Sequence, residues 1–226
     1  MARRARRDAR STEKRFARLP QARIQRSVFD RSFSHKTTFD AGFLIPVYVD
    51  EALPGDTFTL RLEAFARLAP TALKVPIMDN LHLESFFFAV PNRLLWENWE
   101  KFMGAQEDPS DSTDFVLPQV VAPAGFTPGT LGDYFGMPMQ ALAVSVNALP
   151  WRAYNLIYNE WFRDENLQDS VPVLKGDAPD TPGTYVLLRR GKRHDYFTSA
   201  LPWPQKQVGA QASVGIPDRK STRLNS

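Results

Sequence analysis

Cysteine is absent from the 226 residues, which removes disulfide scaffolds, thiol nucleophiles, cysteine-ligated zinc and iron–sulfur clusters and leaves the redox compartment unmarked. Histidine is scarce. His35, His82 and His194 lie far apart with no HExxH around them, so a histidine-built metal site is not expected. Neither GxGxxG nor a P-loop occurs, because Gly191-Lys192 lacks the upstream glycine; nothing in the chain is shaped to cradle a nucleotide phosphate. No run of about 18 apolar residues exists, and the opening MARRARRDAR lacks the apolar centre of a secretory signal. The expectation is a soluble protein made in the cytoplasm, with no membrane partner and no cofactor.

What the chain has in quantity is aromatic and proline residues: 16 Phe, 5 Trp, 6 Tyr and 18 Pro against 12 Gly. A hydrophobic fraction of 43% excludes a wholly disordered protein. The net charge of +3 hides an asymmetry. Residues 1–26 carry ten Arg and Lys against Asp8 and Glu13, a local +8, and the remaining 200 residues balance at −5. A cationic tail on a faintly acidic body predicts a polyanion partner for the tail alone. Arg3, Arg4, Arg6, Arg7, Arg10, Lys14, Arg15 and Arg18, with Arg23 and Arg26 beyond them, have irregular spacing and no apolar stripe. That chemistry neutralises phosphates without reading a sequence. A second basic cluster, Arg189, Arg190, Lys192 and Arg193, surrounds Gly191 and suits either phosphates or the acidic loops of a neighbouring subunit.

Residues 1–35 read as a basic flexible arm, and order is expected from about Thr38. Residues 38–50 are β-branched and aromatic but interrupted by Pro46, which fits an edge or bulged strand. After the turn at Leu53-Pro54-Gly55-Asp56, Phe58, Leu60, Leu62, Ala64, Ala66 and Leu68 alternate with polar positions broken only by Phe65, the signature of a half-buried strand over 57–68. Residues 81–90, with Phe86-Phe87-Phe88, read as a second strand apolar on both faces, hence a sheet covered on both sides. Leu95, Trp99, Phe102 and Met103 recur at helical spacing up to Gly104. Residues 105–129 read as a long surface excursion and 130–136 as a helical turn. A longer helix is expected over 149–165, capped by Asn147, with Pro150 in its first turn. Trp151, Tyr154, Tyr158, Trp161, Phe162 and Glu165 share one side, and the side carrying Arg152, Asn155, Asn159, Arg163 and Asn166 is expected to face water. Residues 185–190 read as a strand, and the chain from Thr198 on as Pro- and Trp-punctuated coil.

No catalytic constellation outweighs its ordinary reading. His194, Asp195 and Ser199 hold the letters of a hydrolase triad but crowd into six residues without a GxSxG elbow. Glu160, Asp164 and Glu165 offer paired carboxylates for glycoside chemistry, yet acidic residues one turn apart beside Arg163 are ordinary on an exposed helix. Trp96, Trp99, Trp151 and Trp161 are candidates for a subunit interface. Two alternatives stay open on residues alone: a free-standing single-stranded DNA-binding protein, and a β-sandwich carbohydrate-active enzyme using carboxylates such as Glu160.

Four blocks are informative as whole segments: KTTFDAGFLIPVYVDEALPGDTF (36–58), VPIMDNLHLESFFFAVPNRLLWENWEKFMG (75–104), VNALPWRAYNLIYNEWFRDENLQDSV (146–171) and LLRRGKRHDYFTSALPWPQK (187–206). Together, over about half of the chain, they resemble the major capsid proteins of the Microviridae, in particular the gokushovirus branch. The resemblance implies a mainly β chain, a viral jelly-roll β-sandwich incomplete over this length, with inserted surface helices and long loops. It implies no enzymatic activity. The partners it implies are identical copies closing an icosahedral shell, other virion proteins, and an enclosed circular single-stranded DNA genome. The location it implies is a bacteriophage virion, assembled in the host bacterial cytoplasm. Residues 36–217 then correspond to the N-terminal part of the jelly-roll domain, and residues 218–226, whose RKSTRLNS looks like translated adapter sequence, are expected to be non-native.

Overall fold

The computed structural model describes residues 25–68, 75, 78, 80–112, 114–139, 143–165 and 167–191. Most of the basic arm, Lys192, Arg193, the His194–Asp195–Ser199 group and the 218–226 tail lie outside the described residues. The chain divides into two units, Met1–Lys36 and Thr37–Ser226. In the first, residues 25–36 are exposed and without regular structure, and Asp30 accepts hydrogen bonds from the Ser32 amide and hydroxyl at 3.0 and 2.5 Å.

The second unit holds short helices where the 3.6-residue period predicts them. Pro91 opens a single 3-10 turn, Asn92–Leu94, whose fixed φ suits a first turn. It is followed by α1 (Trp99–Phe102), and Gly104, at φ +97°, supplies the left-handed residue that stops it. The expected turn at 130–136 is α2 (Leu131–Tyr134). A Cβ at Gly132 would stand 2.5 Å from Cδ1 of Phe126, so only glycine allows α2 to approach that ring. The longest helix is α3 (Leu149–Ile157), with Pro150 in its first turn and the Leu149 amide donating to Asn147 Oδ1 at 2.9 Å. It ends earlier than the expected 165: Tyr158–Phe162 widen into a π turn before Arg163 turns extended at ψ 136°.

Among the described residues one small antiparallel sheet accompanies the helices, in keeping with a mainly β chain. Strand β1 (Gln119–Ala122) pairs with β2 (Val144–Asn147), Val120 facing Val146 and Ala122 facing Val144. On the other edge of β1 the Val121 amide donates to Asp180 O at 2.9 Å and the Asp180 amide to Gln119 O at 2.8 Å. The expectation of a bare excursion over 105–129 is therefore corrected. Val120 and Val121, between Pro118 and Pro123, are a β-branched pair of strand length inside a proline-rich stretch.

The long strands expected over 57–68 and 81–90 are not paired here. Residues 57–68 and 81–90 belong to no ladder among the described residues, and most of them are exposed, Phe58 at 49% and Phe87 at 56%. Among the described residues no sheet covers both their faces. An amphipathic strand is stable only when another strand takes up its amides and a second layer covers its apolar side, and the described residues supply neither. Residues 38–50 and 185–190 meet each other instead of forming separate strands: Phe43 bridges Arg189, with Leu44 N–H to Leu188 O at 2.9 Å and Arg190 N–H to Gly42 O at 2.8 Å.

Two apolar clusters flank α3. Val120, Ala122, Phe126, Leu131, Ala148, Trp151 and Tyr185 form the first; Leu95, Trp96 and Leu149 form the second. In the first, Trp151 lies 5.4 Å from Phe126, 4.9 Å from Phe135 and 5.6 Å from Tyr185, ring centre to ring centre. Aromatic pairs at these separations add to the area they bury.

Candidate functional site

The polar side of α3 carries most of the directed chemistry. Arg152 is completely buried; its Nε and Nη2 donate to the two carboxylate oxygens of Asp180 at 2.8 and 2.9 Å, and its Nη1 to Leu95 O at 3.2 Å. The Tyr185 hydroxyl donates to the same carboxylate at 2.6 Å. Burial opposes the Arg152 charge, but the hydrogen bonds and charge of Asp180 outweigh it and hold the guanidinium pKa above its ordinary value. Burial, with the neighbouring carboxylate, pushes the Tyr185 hydroxyl far up as well. Farther along, Asn159 exchanges two bonds with the backbone of Val171, Nδ2 to O at 2.8 Å and Oδ1 from N–H at 2.9 Å. Asn155 donates to Pro172 O at 2.9 Å, and its buried Oδ1 has no partner among the described residues, Pro172 having no N–H to give.

The expectation that this face meets water is thus overturned. A helix with charged and amide side chains opposite its aromatic stripe reads as a surface helix. Here the chain returns across that face between Gln168 and Asp180, and the amides satisfy its main chain.

The return segment is clipped at Asp177 too, which accepts from Trp96 Nε1 at 2.5 Å and Asn98 Nδ2 at 2.7 Å. These bonds, the indole's first, hold the Asp177 carboxyl below its ordinary 3.8. The Tyr154 hydroxyl, pushed up to about 12 by burial, bridges Leu44 O and the Leu188 amide, each at 2.9 Å. One side chain thereby joins the 42–44 and 188–190 segments.

An aromatic patch lies where α3 ends. The π turn brings Phe162 to 5.3 Å from Phe86 and 5.9 Å from Phe88, and Trp161, 64% exposed, to 6.0 Å from Phe88. Arg190 stands 5.2 Å over Phe86 and is ion-paired with Glu84. Arg189 lies 4.3 Å over Phe43. Of the second basic cluster, then, one guanidinium is engaged by a carboxylate and both by rings, and Lys192 and Arg193 lie outside the described residues. The four tryptophans expected at an interface separate. Trp96 and Trp151, at 0% and 3% exposure, are spent inside the fold and have nothing to present to a neighbour, whereas Trp99 is half-buried and Trp161 exposed.

No described part of the chain assembles a reaction centre. Among the described residues no three His, Asp or Glu gather as metal ligands, and His35 and His82 are exposed. Glu160 sits exposed on the π turn, while the backbone of Asp164 accepts from the Leu167 and Gln168 amides in a tight turn. A cleft of about 360 Å³ between α2 and residues 182–187 is lined by Phe126, Leu131, Trp151 and Tyr185 with glycines and two threonines, and by no carboxylate or histidine. Among the described residues no helix is long and apolar enough to cross a membrane.

Comparison with known proteins supplies what the site geometry does not. The family described as capsid protein (F protein) matches residues 17–222. Capsid protein VP1 of Bdellovibrio phage phiMH2K is 52% identical over 201 residues, covering 88% of this chain and 37% of that protein. Capsid protein VP1 of Chlamydia phage 1 is 47% identical over 232 residues, covering 93% and 38%. That of Spiroplasma virus 4 is 37% identical over 197 residues, covering 80% and 35%. The chain spans little more than a third of the length of these relatives.

Proposed function

The chain belongs to the phage capsid protein (F protein) family, and from that premise we propose that it is part of a gokushovirus-type major capsid protein. Its work is self-association into an icosahedral shell around a circular single-stranded DNA genome, not catalysis. The observation that carries this reading is the 52% identity over 201 residues to a capsid protein VP1. The finer architecture we propose is a jelly roll in which 57–68 and 81–90 are strands. Their alternating apolar faces, half exposed here, are what a sandwich covers with a second sheet. The virion is its final location, other virion proteins are its neighbours, and the host cytoplasm is where it assembles. The polypeptide at the full length of its relatives, expressed and imaged by electron microscopy, is expected to form closed particles. Free monomers at high concentration, together with turnover of a carbohydrate that Glu160→Gln abolishes, would replace the reading with the enzyme alternative.

The genome contact is assigned to the arm. Ten Arg and Lys in residues 1–26 supply counterion-releasing charge, whereas Arg190 is already ion-paired. Deleting residues 2–26 is expected to flatten the salt dependence of single-strand binding by about 0.7 in the log–log slope for each phosphate the arm would have neutralised. An unchanged slope would assign the arm to a neighbouring subunit instead.

A further inference from the structure

We draw no further inference here: the strongest candidate, the exposed aromatic patch of Phe86, Phe88 and Trp161 where α3 ends, carries none, because nothing in the structure shows what covers it in a chain that spans little more than a third of the length of its relatives.

Discussion

Arg152 and Asp180 are the pair whose removal should be felt most. Their geometry is bidentate and both are essentially buried, so Arg152→Met leaves a carboxylate in the interior with only Tyr185 beside it. Removing one partner of a buried ion pair costs about 3–5 kcal/mol, whereas replacing both with apolar residues is often close to neutral. In urea titrations the single variant is expected to lose more stability than Arg152→Met combined with Asp180→Leu. Asp177 is a milder case with a pH signature. Its folded pKa lies below 3.8, so its contribution is present above that value and is lost as pH falls through the folded value. Asp177→Asn is expected to remove part of the fall in melting temperature between about pH 5 and pH 2, where the folded and unfolded carboxyls differ in protonation. Neither interaction is legible in the sequence. Arg152 and Asp180 are 28 positions apart, and the acidic, proline-bearing loop that holds Asp177 and Asp180 looks like any solvated connection.

Elements are legible to the extent that their stabilising contacts are local. The periods around 95–104, 130–136 and 149–157 give helices because side chains three and four apart decide them, and Gly104 marks its stop by the conformation it alone adopts easily. Strand β1 is hidden because four residues between prolines carry too little pattern, and its partners, β2 and Asp180, are distant in the chain. The polar face of α3 reads as wet for the same reason, its cover being remote in sequence. Asn159→Leu tests this: on a solvent-facing side it would be nearly silent. The two bonds to Val171 instead predict a loss of about 1–3 kcal/mol, the cost of stranding partly buried backbone groups, seen as a lower urea midpoint. At α2, Gly132→Ala drives a methyl to 2.5 Å from the Phe126 ring. A loss of about 1–3 kcal/mol is expected from overpacking, with the Trp151 near-UV band altered because Phe126 stacks on it.

For the whole molecule, the family is readable from long matching blocks, whereas the sheet arrangement is not. The strongest strand pattern, 57–68, describes a surface awaiting cover, and periodicity cannot name what covers it. A prediction follows from the tryptophans. Trp96 and Trp151 are enclosed and Trp161 stands in solvent, so acrylamide should quench a distinct fraction of the emission, and Trp161→Phe should remove much of that fraction. Closed particles of the full-length polypeptide should protect the same indole if the aromatic patch meets a neighbour.

The bonds from Asn155 and Asn159 end on main-chain atoms of residues 171 and 172. The helix therefore recognises the route of the returning segment and is indifferent to its lettering. A new side chain at Val171 would leave both Asn159 bonds in place, and an amide restored at position 172 would offer the orphaned Asn155 oxygen a donor. Variation in this stretch can accumulate on the outside of the loop while its course over α3 is kept.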